Sequence, residues 1–236
     1  MTGYSLKLKV LWNRILGRQI IHFLHIGKTG GSVLKHALKD ASLNSRCYLL
    51  FHGHSVKLED IPRGEKIIFG VRDPVARFVS AFYSRKRQGR PRYHTPWNDD
   101  EKKAFFLFKT PNELANALSS SDFNLKDAAM RAMCGIAQIR NFYWFWFRNE
   151  QYFLTRISDV FYTYQQEFLN NDFEALKEVL GLPEDVALST DEKIKHANPT
   201  GIDRRLDEMA INNLQTWFSM DYEFIALLKE KKMIRA

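Results

Sequence analysis

The amino-acid sequence predicts an α/β domain with three layers, in which helices cover a central parallel sheet. Two patterns support this fold class: strand-length apolar runs alternate with segments of helical periodicity, and glycine-containing turns follow the apolar runs. With 236 residues, of which 45% are hydrophobic, the chain is long enough to bury one large core. We therefore predict a single domain over residues 1–236.

Three apolar runs in the first third of the chain have the length and composition of buried strands. They are IIHFLHI (20–26), RCYLLFHGH (46–54) and KIIFGV (66–71). Helical spacing follows the first run in SVLKHALKD (32–40) and the third in RDPVARFVSAFYSRKR (72–87). In the second of these helices Asp73 is a natural N-cap, and Pro74 suits the first helical position. The chain thus begins with two strand-to-helix units.

The second half of the chain is predicted to add one strand and extra helices. QGRPRYHTPWNDDE (88–101) has the composition of a long exposed loop, and DVFYTY (159–164) that of a strand. The aromatic run NFYWFWF (141–147) is interpreted as core filling. Helices are predicted in EKKAFFLFK, PNELANAL, NLKDAAMRAMCGIAQIR, QEFLNNDFEALKEVLGL, DRRLDEMAINNLQTWF and DYEFIALLKEKK.

The net charge of the chain indicates the kind of partner that it binds, and its cysteine content indicates the compartment. The 35 Lys and Arg residues exceed the 27 Asp and Glu residues, which gives a net charge of +8 and predicts an anionic partner. Nucleotides, acidic glycans, nucleic acid and acidic membranes all meet this condition. Two cysteines, Cys47 and Cys134, are too few for a disulfide framework and favour a reducing, cytoplasmic compartment.

The first 19 residues form a basic arm or helix in which Lys and Arg alternate with Leu, Val, Trp and Ile. One interpretation is an amphipathic helix at a membrane surface, which would make the protein membrane-peripheral. The other, which we favour, is a helix packed on the domain. Charges interrupt the apolar stretch, so the segment does not have the pattern of a signal peptide, and no apolar stretch of the chain has the length of a transmembrane helix.

The loop GKTGGS (27–32) stands between the first predicted strand and its helix. Its glycines let backbone N–H groups approach an anion, the helix presents its positive N-terminus, and Lys28, Thr29 and Ser32 add donors. The pattern predicts a phosphate site and a P-loop-like arrangement. A Walker A loop would have glycine at position 22, where this chain has His22, so magnesium-bound ATP is a poor match. The alternative is a plain tight turn.

A second anion site is predicted after the third strand. Arg72 lies just before a helix N-terminus, and Ser80 lies two turns inside that helix, opposite its apolar stripe. A guanidinium and a hydroxyl so placed can share a phosphate. Alternatively, Arg72 pairs with a local carboxylate and Ser80 is a surface serine. Because ligands of parallel sheets bind at the carboxyl ends of the strands, we expect GKTGGS, HGH (52–54) and RDP (72–74) to converge.

These motifs resemble those of the carbohydrate sulfotransferases. LHIGKTGGS is similar to their 5′-phosphosulfate loop, which usually has proline where this chain has Gly27, and VRDPVARFVSAFY is similar to their 3′-phosphate segment. YLLFHGH, between the two, resembles the stretch that carries the catalytic base in the uronyl or heparan sulfate 2-O-sulfotransferase-like branch. The resemblance is firm over residues 20–87.

The resemblance implies a cofactor and roles for individual residues. The cofactor would be 3′-phosphoadenosine 5′-phosphosulfate, with adenosine 3′,5′-bisphosphate as product and no metal. His54 would be the catalytic base, and Lys28 would stabilise the leaving group. His52 would support the site or bind the acceptor. The residues implied in cofactor binding are Gly27, Lys28, Thr29, Gly30, Gly31, Ser32, Arg72, Ser80 and, in a late loop, Lys195 and Asn198.

The acceptor is expected to be a hydroxyl compound, in this family a glycan. The basic loop RKRQGRPRYH (85–94) would attract an acidic glycan through Arg90 and Arg92, although charge runs are usually solvated surface. Two rival functions remain at this stage. One is a P-loop-like nucleotide kinase, and the other is a non-catalytic protein that binds acidic glycan or nucleic acid. The second rival gives no reason for two phosphate motifs at this spacing, so we do not expect a nucleic-acid partner.

Overall fold

The structure, a computed structural model, describes residues 3–41, 46–91, 93–191 and 201–235. Contacts divide the chain into two compact units. The sheet unit consists of Met1–Val71, Trp146–Lys195 and Lys231–Ala236, and the helical unit of Arg72–Phe145 and His196–Glu230. Each unit is described in turn.

The sheet unit contains four parallel strands, which confirms the predicted α/β class with a parallel sheet. Their order across the sheet is β2-β1-β3-β4. The strands are β1 (Gln19–Phe23), β2 (Cys47–Phe51), β3 (Lys66–Val71) and β4 (Val160–Gln165). β3 has the predicted bounds. β1 ends three residues before its apolar run does, because the chain bends into a loop in which Thr29 Oγ1 donates to the carbonyl of Ile26 at 3.0 Å.

The strand order reverses at β1, which pairs with β2 on one side and with β3 on the other. In open parallel sheets such a reversal leaves a crevice at the carboxyl ends of the two central strands, where ligands bind. Helix α2 (Gly31–Ala41) follows the loop after β1, and Arg72 follows Val71, the last residue of β3. The glycine loop and the HGH segment therefore belong to this edge of the sheet.

Helices cover both faces of the sheet. On one face, apolar side chains of α2 and α9 (Leu169–Leu180) pack on the strands, with Phe23 and Ile68 fully buried between them. On the other face, the ring of Phe69 contacts Phe147 at 4.6 Å and Phe153 at 6.3 Å between centroids. Phe147 and Phe153 belong to the short helices α7 (Trp144–Phe147) and α8 (Glu150–Leu154). Helix α1 (Gly3–Ile15) lies beside β1.

The helical unit has its own core, centred on the fully buried Phe78 and Phe82 of helix α3 (Pro74–Lys86). Asp73 caps α3, because its Oδ1 accepts from the N–H of Ala76 at 2.8 Å, and Pro74 is the first helical residue, as predicted. The helices of this unit are α3 (Pro74–Lys86), α4 (Asp99–Leu107), α5 (Pro111–Ala117), α6 (Phe123–Gly135), α10 (Glu208–Trp217) and α11 (Ser219–Glu230).

Several predicted boundaries in this unit differ from the structure; for example, the helix expected from Asp203 begins at Glu208, after its N-cap Asp207. The exposed loop was expected to reach residue 101, but it ends at Asn98, which caps α4, while Glu101 is buried. A capping box explains this: Asn98 accepts from the N–H of Glu101, and Glu101 accepts from the N–H of Asn98. The helix expected to run to Arg140 ends at Gly135, after which Ile136 adopts an extended backbone.

Candidate active site

The loop after β1 makes a tight turn through two residues in the left-handed region. Lys28 has a φ of 70° and Gly30 a φ of 86°, both in the left-handed region. Alternation of backbone conformation of this kind turns successive N–H groups toward one side. Thr29 is buried, Lys28 and Ser32 are half-buried, and the first turn of α2 carries no acidic residue. The N-terminal end of α2 therefore keeps its positive potential for an anion.

Packing explains one of the glycines of this loop. A Cβ on Gly31 would stand 2.7 Å from the ring of His25, and at Gly70 in β3 it would stand 2.1 Å from the ring of Tyr164. These two glycines let Tyr164 cross beneath the loop, where its hydroxyl lies near Thr29 and 3.3 Å from the Cβ position at Gly31. At Gly27 a Cβ would meet nothing within 4 Å, so packing does not require glycine at this position.

Two hydrogen bonds hold His54, one through its imidazole ring and one through its backbone carbonyl. Its Nδ1 lies 2.8 Å from the carbonyl oxygen of His25, and its own carbonyl accepts from the indole N–H of Trp146 at 2.8 Å. The two imidazoles pack with their centroids 4.0 Å apart. Because a carbonyl only accepts, Nδ1 carries the hydrogen, and in the neutral ring Nε2 keeps its lone pair. His54 is thus set up to accept a proton at Nε2.

The surroundings of His54 also keep it neutral. The residue is accessible to solvent on one side, but crowding by neighbouring atoms lowers the pKa of its imidazole below 6.5. The bond to the His25 carbonyl opposes this shift, whereas the ammonium groups of Lys28 and Lys35 add to it. A cation of the glycine loop therefore acts on the same ring. The structure brings the two catalytic candidates, Lys28 and His54, into one electrostatic environment.

His52 is the last member of a chain of hydrogen bonds that links it through His22 to Glu65. Its Nε2 lies 2.8 Å from Nδ1 of His22, and Nε2 of His22 bonds the carboxylate of Glu65, which also pairs with Arg14. His22 is buried, and burial lowers its pKa to about 4, with His52 and Arg14 adding to the effect. A neutral His22 donates from Nε2 to Glu65 and accepts at Nδ1 from His52. The half-buried His52 then keeps its lone pair on Nδ1.

The buried His22 predicts a pH-dependent stability. Its pKa is depressed from 6.5 to about 4, so the unfolded chain binds more protons between these values, and stability is lost as the pH falls through this window. The loss amounts to about 3 kcal/mol at most. We expect His22→Asn to remove this pH-dependent part of the free energy of unfolding. The measurement is the free energy of unfolding in urea at pH 7 and pH 4.5, for wild type and variant.

The comparison between wild type and variant isolates His22. Asp221 of the helical unit acts with the opposite sign, because burial raises its pKa to about 6 and its contribution grows as the pH falls below 6. That contribution is common to both proteins and cancels in the difference. His36→Asn, at an exposed histidine, serves as the matched control. Equal pH dependence in wild type and His22→Asn would contradict the prediction.

In the helical unit, the backbone at Arg72 is fixed by one tyrosine. The hydroxyl of Tyr143 accepts from the N–H of Arg72 and donates to its carbonyl, both at 2.8 Å. Asp73 has both oxygens occupied, Oδ1 by the cap and Oδ2 by the hydroxyl of Tyr222 at 3.0 Å. Arg72 and Ser80 are half-buried, and Ser80 lies between the buried Val79 and Ala81 in the sequence of α3.

The remaining predicted binding residues fall into two groups. Arg90 is exposed, and its carbonyl accepts from Nε of Arg87 at 2.7 Å. Arg92, Lys195 and Asn198 lie outside the described residues. Within the same basic run, Arg85 was expected to be solvated, but it is buried and bonds both carboxylate oxygens of Glu101 at 2.6 Å. It is part of the core of the helical unit and is not available to an acidic glycan.

Sequence reasoning missed Glu65, Arg14 and His25 as neighbours of the two HGH histidines, and gave His22 no role at the site. The signal for His22 was present, because a histidine inside an otherwise apolar strand must find polar partners when it is buried. Nothing in the sequence says that these partners are Glu65 and His52. Among the described residues, no group of three or more His, Cys, Asp or Glu is arranged to hold a metal ion.

No family model matches this chain, and a search of curated proteins finds no match either.

Proposed function

We propose that this protein is a sulfotransferase that transfers the sulfuryl group of 3′-phosphoadenosine 5′-phosphosulfate to a hydroxyl of a carbohydrate. One observation carries the proposal: an imidazole whose tautomer leaves Nε2 free, at His54, lies within the field of the glycine-loop cation Lys28. A base and an anion loop with a lysine are the two parts that metal-free sulfuryl transfer requires. The three-layer, P-loop-like character of the fold belongs to the same proposal.

In the proposed mechanism the acceptor oxygen attacks sulfur in line with the departing nucleotide. A bond forms between the acceptor oxygen and sulfur while the bond from sulfur to the bridging oxygen of the 5′-phosphate breaks. The hydroxyl proton passes to Nε2 of His54. The negative charge that develops on the bridging oxygen is stabilised by Lys28 and by N–H groups of the loop. These fixed charges do the work that a metal ion would do in phosphoryl transfer.

The cofactor would be bound through both of its anionic ends. The 5′-phosphosulfate would occupy the loop of Gly27, Lys28, Thr29, Gly30, Gly31 and Ser32, where a helix N-terminus and hydroxyl donors favour an anion. The 3′-phosphate is assigned to Arg72 and Ser80 on the motif that these residues share with the sulfotransferases. Lys195 and Asn198 are assigned to the cofactor on the same resemblance.

His52 is proposed to bind the acceptor. Because Glu65 and His22 fix its tautomer, its Nδ1 can accept but not donate a hydrogen bond. It therefore suits a second hydroxyl of a carbohydrate, whereas Arg90 and Arg92 would attract acidic groups of the same glycan. The low cysteine content supports a cytoplasmic location for the enzyme.

Ligand-dependent thermal unfolding tests the proposal. We expect adenosine 3′,5′-bisphosphate at about 100 times its Kd to stabilise the protein by about 2.7 kcal/mol, a rise in Tm of roughly 5–10 °C. Lys28→Ala should abolish the rise, and Lys39→Ala, at an exposed lysine of α2, should keep it. A rise with ATP and magnesium alone would favour a nucleotide kinase. A rise with heparin alone would favour a non-catalytic glycan-binding protein.

A further inference from the structure

Helix α1 presents an apolar stripe to the solvent. The stripe consists of side chains that are each more than half exposed: Leu8 (55%), Leu11 (53%), Trp12 (62%), Ile15 (68%) and Leu16 (51%). Residues with the spacing i, i+3, i+4, i+7 and i+8 share one face of a helix. Ordinary amphipathic helices turn such a face toward their own core. In this protein α1 is packed on the sheet unit, as we favoured, but it is the apolar face that points outward.

The opposite face of α1 fixes the orientation of the stripe. Asn13 is buried, donates to the carbonyl of Lys9 at 2.8 Å and accepts from Arg18 at 3.2 Å. Arg14 pairs with Glu65, which holds the end of the helix to the sheet unit. The polar side thus faces the protein, and rotation of α1 about its axis to bury the stripe would break the pair of Arg14 with Glu65 and expose Asn13.

The cationic residues in and next to α1 indicate the kind of surface that covers the apolar stripe. Helix α1 and the three residues that follow it contain four cationic residues, Lys7, Lys9, Arg14 and Arg18, and no Asp or Glu. Within the described part of the chain, Lys9 is exposed next to the stripe and the side chain of Arg14 is 50% exposed. An apolar band with an indole and flanking cations matches the layering of an anionic bilayer, whose headgroups are negative and whose interior is apolar. A partner helix would match the apolar band without requiring this excess of positive charge.

We propose that α1 docks this protein on the surface of an anionic lipid membrane. The stripe enters the boundary between headgroups and acyl chains, and the cations contact the lipid phosphates. The proposed attachment is at the membrane surface, and no helix among the described residues is long and apolar enough to cross a membrane. The proposal does not depend on the proposed transferase activity.

Flotation with lipid vesicles tests the inference on the full chain. We expect binding to vesicles of phosphatidylcholine with about 30% phosphatidylserine, much weaker binding to pure phosphatidylcholine, and release by added salt. Trp12→Glu combined with Ile15→Glu should lower the partition coefficient at least tenfold. Phe106→Glu is the matched control, because Phe106 is an exposed apolar residue of α4 (77%) and should leave binding unchanged. Leu11→Ser with Ile15→Ser gives a milder second variant, and circular dichroism checks that each is folded.

Three results would overturn the inference. The first is that wild type fails to bind the anionic vesicles. The second is that the stripe variants and the Phe106 variant bind equally well. The third is that light scattering shows a dimer that the Trp12 variant dissociates, since the stripe would then be covered by a second copy of the chain.

Discussion

His54→Ala is expected to lower turnover by two to four orders of magnitude while the product nucleotide still binds. The imidazole is proposed to accept the proton of the acceptor hydroxyl, and loss of a general base usually lowers the rate by about 10²–10⁴. Turnover is measured as release of adenosine 3′,5′-bisphosphate from the sulfated cofactor with a panel of glycan acceptors. Binding is measured separately by calorimetry with the same bisphosphate.

The pH dependence gives a second readout of the same role. Because crowding by neighbouring atoms lowers the pKa of His54 below 6.5, the wild-type rate should fall only when the pH drops below 6.5, as Nε2 becomes protonated. The control is His36→Ala, at an exposed histidine. Near-normal turnover in His54→Ala would remove this histidine as the base. Lost nucleotide binding in a folded variant would assign it to the cofactor site instead.

Arg156→Met is expected to destabilise the sheet unit by about 3–5 kcal/mol. Arg156 is 1% exposed, and its guanidinium bonds the carboxylate of Asp159 and the carbonyls of Leu58, Ile61 and Pro62, the last three at 3.1–3.3 Å. Methionine fills similar space but leaves a buried carboxylate and three carbonyls without this donor. The expected change in Tm is a fall of roughly 10 °C.

An exposed ion pair provides the control for Arg156. Arg131 pairs with Asp127 at 2.8 Å, but its side chain is 77% exposed, so Arg131→Met should change stability by less than about 0.5 kcal/mol. Arg156→Lys keeps the charge without the planar fork and should fall between the two variants. A Tm for Arg156→Met within about 2 °C of wild type would contradict the assignment of Arg156 as a structural centre.

The sequence predicted those parts of the site that depend only on residues close to one another along the chain. The bounds of β3, the cap at Asp73 and the glycine loop before α2 all follow from short-range rules on apolar runs, capping and turn residues. The same rules predicted a parallel sheet, because alternating strands and helices have few other ways to bury their apolar faces. The HGH segment was predicted to lie at a strand end for this reason.

Contacts between residues far apart in sequence were decided by the tertiary structure. The tautomer of His54 depends on the carbonyl of His25, and that of His52 on Glu65 through His22. None of these pairs has a signature in the sequence, since hydrogen bonds join groups brought together by the order of the strands. The burial of Arg85 has the same origin, because it lies in a basic run whose composition suggests solvent, while its partner Glu101 is sixteen residues away.

Helix α1 is the clearest example of an orientation that the sequence did not determine. Its periodicity determined that one face is apolar, but periodicity cannot say which surface covers that face. The burial of Asn13 and the pair of Arg14 with Glu65 on the other side decided that the apolar face turns away from the protein. The sequence by itself therefore determined the strands, the glycine loop and the caps, which are local. The structure decided orientation and proton position, because both depend on groups that only folding brings within hydrogen-bond distance.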